Sequence, residues 1–219
     1  MRLDKFEIGG TEFMMKRECE KFNKCGCGSD CFDINDDVSK DLCKSGKCKD
    51  ENIDFDKIVE RAFYPREGHK KDSHQYRIPK CPYKKYEEKV RLLKTDILNA
   101  NDFDEILKIL TFGSENKAFE HIKNIGELTE YDIAFRIGKS LGKCPDKVYL
   151  HAGTGKGAEK LKKAKIRAKS LSREDLEEFD YLADAPICQI ENFLCVCKEN
   201  PDKDSFECYK KRHANGGIG

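Results

Sequence analysis

The sequence has no excess of charge of either sign, because 42 basic and 41 acidic side chains leave a net charge of +1 over 219 residues. Overall charge therefore gives no reason to expect a nucleic-acid partner, and only local clustering of charge would. The sequence also has no apolar run near the ~20 residues that a membrane-spanning helix needs. Its first residues carry no apolar core of a secretory signal. We therefore expect a cytoplasmic, intracellular protein with no membrane partner.

The sequence does contain many cysteines, twelve in all. In a reducing compartment they are not expected to form a disulfide framework, which leaves metal ligands, buried small side chains and redox thiols. Six of them lie within residues 1–56, a segment rich in Gly, Asn, Ser and acidic residues without sustained helical periodicity. Such a loop-rich segment has few large apolar side chains to hold it together, and a bound metal supplies folding free energy.

Four of these cysteines form two close pairs separated by eleven residues, Cys27 with Cys31 and Cys43 with Cys48. Two close pairs joined by a loop suit a tetrahedral site with four thiolate ligands. The sequence therefore predicts a structural zinc ion as cofactor in the N-terminal insert. Cys19 and Cys25 are further candidate ligands, and reduced cysteines without a metal are the alternative.

Apolar residues at helical spacing dominate the rest of the chain and predict a mostly α fold. We expect helices at residues 86–98, 103–110, 114–122, 130–141, 158–168, 173–182 and 187–197. Asp102 with Glu105, and Thr129 with Asp132, form the capping boxes of two of them. The glycine-rich run 151–157 reads as a flexible turn. The segments are then a Cys-rich insert (1–56), a Pro-bounded connector (57–84), a helical domain (85–212) and a flexible tail (213–219).

One short segment indicates what the protein touches, the turn Ile122-Lys-Asn-Ile-Gly-Glu-Leu-Thr129. An apolar helix is expected to run into this turn, and a second helix starts directly after it. Backbone N–H groups at the start of a helix favour anions such as phosphate. Asn124 stands where the backbone needs a positive φ, which Asn tolerates better than other residues with a side chain.

This turn resembles the hairpin of helix-hairpin-helix proteins, especially the DNA glycosylase superfamily, which writes it as Leu-Pro-Gly-Val-Gly-x-Lys-Thr-Ala. Ile122, Ile125 and Gly126 match that pattern, and Asn124 replaces its first glycine. The resemblance extends over residues 115–160. It implies a helix-hairpin-helix, glycosylase-like helical domain whose hairpin amides grip a DNA phosphate, with the target base flipped out of the duplex.

The same resemblance implies a catalytic carboxylate but not the catalytic lysine of the family. Leu128 stands at the position of the lysine that forms a Schiff base in bifunctional members, so lyase chemistry is not expected here. The carboxylate of the family falls near Asp146, or at the position occupied by His151. If the protein is an enzyme, we expect a glycosylase without lyase activity that uses Asp146 and His151.

A run of basic residues follows the hairpin, with eight cations and one acid between Lys156 and Arg173. We expect one helix whose basic outer face contacts phosphates, although a solvated helix surface is the commoner meaning of such a run. The residues predicted to bind DNA are those of the hairpin and of this run: Lys123, Asn124, Gly126, Thr129, Lys156, Lys160, Lys163 and Arg167. RNA is the alternative nucleic acid, and the sequence does not fix an oligomeric state.

Five further polar residues are candidates for a cleft: His74, Gln75, Arg77, Asp132 and Arg136. The first three lie on a Pro-bounded loop, where histidine offers acid–base chemistry and an exposed loop is the alternative. Asp132 and Arg136 are spaced to form an ion pair on one face of a helix. Such a pair, if buried, needs a structural or functional role to offset its desolvation.

A second group of cysteines lies near the C-terminal end of the sequence: Cys188, Cys195, Cys197 and Cys208. Some glycosylases carry an iron–sulfur cluster on cysteines spaced Cys-x6-Cys-x2-Cys-x5-Cys, and only the first gap matches here. We therefore expect buried core thiols and no iron–sulfur cluster. The rival interpretation of the whole chain is a non-enzymatic, zinc-stabilised structural or protein-interaction module, which its near-zero net charge would suit.

Overall fold

The computed structural model describes residues 54–65, 70–71, 75–114, 117–118 and 120–214. The predicted zinc ligands Cys27, Cys31, Cys43 and Cys48, and the candidate cleft residue His74, lie outside these residues. The predicted zinc site therefore stays a prediction. Within the described residues, every helix is too short or too polar to cross a membrane.

Eight α-helices and two small sheets make up the described part of the chain, which confirms a mostly α-helical fold. The helices are α1 (Phe55–Phe63), α2 (Lys80–Leu92), α3 (Lys94–Asn99), α4 (Phe103–Phe112), α5 (Glu127–Ser140), α6 (Ala152–Lys162), α7 (Ile187–Val196) and α8 (Lys203–Ala214). Strands β1 (Gly113–Ser114) and β2 (Lys117–Ala118) pair antiparallel, as do β3 (Val148–Tyr149) and β4 (Ser170–Leu171). Two 3-10 turns cover Glu174–Leu176 and Asp180–Leu182.

The chain divides into two compact units, with the boundary after Asp146. We call the described residues 54–146 the N-terminal unit and the described residues 147–214 the C-terminal unit. The predicted helical domain 85–212 thus contributes to both. Helix α1 lies in the stretch that the sequence assigns to a connector.

Helix α5 is the central element of the N-terminal unit, because it packs against both α1 and α4. Its residues 129–135 are all buried, and Ile133 and Ile137 are fully buried. A helix that is covered on most of its sides belongs in the middle of a bundle. Three apolar residues at helical spacing within the predicted helix 86–98 are buried on α2, on α3 and at the residue between them: Val90, Leu93 and Ile97.

The capping box predicted at Asp102 is confirmed. The Asp102 carboxylate accepts a hydrogen bond from the Glu105 amide at 2.8 Å, which satisfies an N–H group at the start of α4. The Glu105 carboxylate reaches back to the amide of Asn101, one residue earlier than the standard motif, at 2.7 Å. Gly113 follows the helix with φ 86, as expected for a terminal glycine.

The helix predicted at 114–122 is wrong. Gly113 and Ser114 pair with Ala118 and Lys117 in a two-stranded hairpin, and the described residues 120–122 are not helical. The prediction depended on three apolar residues at helical spacing, which are a weak indication of a helix. Pairing of the two strands satisfies the backbone N–H and C=O groups as a helix would. The turn at Ile122–Gly126 therefore follows a non-helical segment at residues 120–122.

The capping box predicted at Thr129 is also wrong, because α5 begins at Glu127 with Gly126 as its N-cap. The amides of Thr129 and Glu130 both donate to the Gly126 carbonyl, at 2.8 and 3.1 Å. Thr129 is thus inside the first helical turn and nearly buried. At the other end, Gly142 has φ 69 and follows the last turn, a position at which glycine is common.

The C-terminal unit is built on the contact between α6 and α7. The glycine-rich run 151–157, predicted as a flexible turn, forms the first turns of α6 instead. A Cβ at Gly157 would overlap the Leu194 carbonyl oxygen of α7, and one at Gly153 would lie 2.8 Å from the Cys195 sulfur. Glycine is present here because two helix backbones approach closely.

The single helices predicted at 158–168 and 173–182 are wrong in extent. Helix α6 ends at Lys162, and Lys163 turns the chain with a left-handed φ of 49. The second segment forms the two 3-10 turns, and α7 confirms the buried helix predicted at 187–197 to within one residue. Charged and small residues between 163 and 169 supply too few apolar contacts to extend a helix across the unit.

Candidate nucleic-acid interface

The predicted phosphate-binding turn lies at the start of α5. The Ile125 amide donates to the Ile122 carbonyl at 3.0 Å, and Asn124 adopts φ 75. A positive φ at the third residue of a turn is the signature of a type II turn, which accepts Gly or Asn there. The sequence-based expectation for Asn124 is therefore confirmed.

Burial alternates along this turn. Ile122 and Ile125 are buried, whereas Lys123, Asn124 and Gly126 are exposed. The two isoleucines hold the turn against the unit, so its tip projects outward next to the first turn of α5. An α-helix leaves its first N–H groups without intrahelical acceptors, and the helix dipole makes this end favourable to anions.

A buried carboxyl group follows this turn, and no motif of the sequence indicates it. Glu130 is only 7% exposed, on the first turn of α5. Burial raises the pKa of Glu130, while His121 and a hydrogen bond from the Thr111 side chain act in the opposite direction. The predicted helix 130–141 starts at this residue, whereas α5 begins three residues earlier, at Glu127, and so places Glu130 inside its first turn.

The basic run between Lys156 and Arg173 does not form the single helix that the sequence predicts. Lys156 and Lys160 lie on α6, whereas Lys163 and Arg167 lie beyond its end, and all four are exposed. Two other cations of the run are held by the protein itself. The Lys162 ammonium lies 3.1 Å from the Glu178 carboxylate, and Arg173 donates to the Ala183 and Ala185 carbonyls at 3.1 and 2.6 Å.

The two predicted catalytic residues belong to different units. Asp146 is exposed at the end of the N-terminal unit. His151 caps α6 in the C-terminal unit, and its Nε2 lies 3.4 Å from an oxygen of Glu191 on α7. Glu191 is 4% exposed and was missed, although it is the lone charged residue of the apolar helix 187–197. A single charge in such a helix predicts a buried partner.

The described cleft candidates have separate environments. Gln75 is fully buried, and its side chain is 2.5 Å from the Tyr83 hydroxyl, whereas Arg77 is exposed. Asp132 is buried on α5, and Arg136 one turn later donates to the Ala62 carbonyl of α1 at 2.9 Å. The carbonyl contact ties α5 to α1, and the ion pair between Asp132 and Arg136 stays a prediction.

The described cysteines are Cys81, Cys144, Cys188, Cys195, Cys197 and Cys208. The first five are not disulfide-bonded, whereas Cys208 is. Cys197 is buried and Cys188 and Cys195 are partly buried, in agreement with a core role for these three. The prediction of a core thiol is wrong for Cys208, because its sulfur belongs to a disulfide bond. Within the described residues, no cluster of three His, Cys, Asp or Glu side chains is arranged to hold a metal ion.

No family model, curated protein or solved structure matches this chain. The resemblance to helix-hairpin-helix glycosylases therefore depends on the residues of the turn alone. What the site can do has to be argued from its geometry and charge.

Proposed function

We propose that the protein binds DNA, gripping a backbone phosphate at the turn Ile122–Gly126 and the start of α5. The observation that carries this proposal is the exposed turn tip, in which Asn124 has a left-handed backbone and Gly126 caps the helix. This arrangement presents an ammonium group from Lys123 beside helix N–H groups that favour anions.

The basic run supports the same partner from the C-terminal unit. Its exposed cations follow one another along α6 and the segment after it, and such cations give affinity that is independent of sequence and sensitive to salt. Base excision is a further hypothesis of the same proposal. Leu128 stands in place of the family lysine, so the chemistry would be hydrolytic, with Asp146 and His151 as the candidate catalytic residues.

A matched pair of substitutions at Gly126 tests the grip. A Cβ at Gly126 would meet no atom within 4 Å, so a side chain fits there without disturbing the fold. Asn and Asp are both good N-cap residues and have the same shape. Gly126→Asp places a negative charge where the phosphate would bind, and Gly126→Asn does not.

We expect Gly126→Asp to weaken binding of an undamaged duplex by about tenfold or more relative to Gly126→Asn at low salt. Fluorescence anisotropy with a labelled duplex measures this, and circular dichroism checks that both variants fold. Equal affinity of the two variants would remove the turn from the interface. Absence of duplex binding by the unmodified protein at low salt would refute DNA binding altogether.

A second pair tests the basic run. Lys160 is exposed, whereas Lys162 is already paired with Glu178. Lys160→Gln is expected to lower the slope of log affinity against log salt by about one, and Lys162→Gln by less. A larger decrease of the slope for Lys162→Gln than for Lys160→Gln would show that the exposed face of the run is not the surface that contacts DNA.

A further inference from the structure

The Glu130 carboxyl is enclosed by side chains from several elements of the N-terminal unit. Those that affect its charge are Thr111 of α4, Glu127 of α5 and His121 of the segment before the turn. The Thr111 side chain is hydrogen-bonded to the carboxyl, His121 favours its charged form, and Glu127 opposes it. Burial has the largest effect and favours the neutral acid, so the pKa of Glu130 is raised.

The residue that carries this carboxyl is bonded to the phosphate-binding turn through its backbone. The Glu130 amide donates to the carbonyl of Gly126, which is the N-cap residue of the turn. Side chains on an α-helix point towards its N-terminus, so the carboxyl of Glu130 is directed to the end at which the phosphate would bind. A phosphate bound there and a charged Glu130 would repel each other through a poorly solvated region, where charge screening is weak.

We propose that Glu130 couples the binding of DNA at this turn to the uptake of one proton. The neutral acid favours the bound state, and the charged acid disfavours it. This inference rests on the proposed DNA binding and adds its regulation by pH. By linkage, duplex affinity is highest in mild acid and falls as Glu130 loses its proton.

The test compares His121→Gln with the double variant His121→Gln/Glu130→Gln. Both proteins lack the imidazole of His121, so a difference between them from about pH 5 to pH 8, the range in which an imidazole could also respond, reports on Glu130. Glutamine keeps the shape of Glu130 and its hydrogen bond with Thr111, but it cannot ionise. Duplex affinity is measured by anisotropy across this pH range at constant ionic strength.

We expect the double variant to bind about three- to tenfold more tightly than His121→Gln near the alkaline end of the range, and equally tightly near the acid end. Glu127→Gln, added to His121→Gln, is the matched control on the same helical turn. Glu127 is exposed and lacks the enclosure of Glu130, so this control is expected to raise affinity equally at both ends.

Calorimetry in two buffers of different ionisation enthalpy gives a second measurement that does not depend on a Glu130 variant. His121→Gln is expected to take up a substantial fraction of one proton when it binds the duplex at the pH where its affinity falls. Duplex binding without proton uptake, or without a pH-dependent difference between the two variants, would refute the role of Glu130 but not the proposed DNA binding. Failure of the unmodified protein to bind at every pH would instead overturn the proposed function.

Discussion

Replacing Gly157 by alanine is expected to destabilise the C-terminal unit, although the same change usually strengthens a helix. Glycine costs about 1 kcal/mol relative to alanine in a helix interior, so propensity alone favours the substitution. The new Cβ, however, would overlap the Leu194 carbonyl oxygen, which belongs to the backbone of α7 and cannot rotate away. Overpacking of this kind typically costs 1–3 kcal/mol, and separating two helix backbones costs at least the upper end of that range, or about 3 kcal/mol.

The net loss is then about 2 kcal/mol, and Gly155 supplies the matched control on the same helix. A Cβ at Gly155 would meet its nearest neighbour, the Leu150 carbonyl oxygen, at 3.7 Å, which is an ordinary contact. Gly155→Ala is therefore expected to stabilise the unit by about 0.5–1 kcal/mol. Gly153→Ala should lie between them, because its obstacle is the Cys195 side chain at 2.8 Å rather than backbone.

Native-state hydrogen exchange is the suitable assay, because the chain has two compact units and a single unfolding transition cannot be assumed. The slowest-exchanging amides of α6 and α7 report the opening free energy of their own unit. If Gly157→Ala and Gly155→Ala changed this free energy equally and in the same direction, the close approach of α6 and α7 would be refuted.

Three further predictions concern buried charges. Burial raises the pKa of Glu130 above 4.5, so its contribution to stability is present below that pH and is lost as pH rises through the folded-state pKa; Glu130→Gln should flatten this part of the stability–pH curve in denaturant titrations. Glu191→Ala is expected to cost about 1–3 kcal/mol by leaving the partly buried His151 without its carboxylate partner, whereas the similarly shaped Glu191→Gln should cost less, as measured by exchange of α7 amides. Arg173→Lys should destabilise the turns at 174–182 by about 1–3 kcal/mol, since an ammonium lacks the planar fork of two nitrogens with which Arg173 reaches Ala183 and Ala185, and protection of their amides checks it.

Local signals in the sequence predicted several elements well. Asp102 and Glu105 mark the start of α4 because capping depends on residues only three positions apart. The burial of Val90 and Ile97 follows from helical periodicity, and the left-handed Asn124 follows from the few residue types that tolerate that conformation.

Features that depend on contacts between distant segments were not predictable in this way. The glycines of run 151–157 suggest flexibility until α7 is known to lie against them. Glu130 looks like an exposed residue until α4 is placed over α5. Glu191 is an intermediate case, because its position as the lone charge in an apolar helix was visible but its partner His151 was not.

The glycines of α6 also determine when this helix forms during folding. Three of its first six residues are glycine, which lowers its intrinsic helicity by about 3 kcal/mol relative to alanine. Helix α6 therefore has little tendency to form by itself. It becomes stable only when its glycines pack against the backbone of α7. Folding of the C-terminal unit should begin with α7 and its apolar neighbours and end with the docking of α6. Substitutions in α6 would then change the unfolding rate much more than the folding rate.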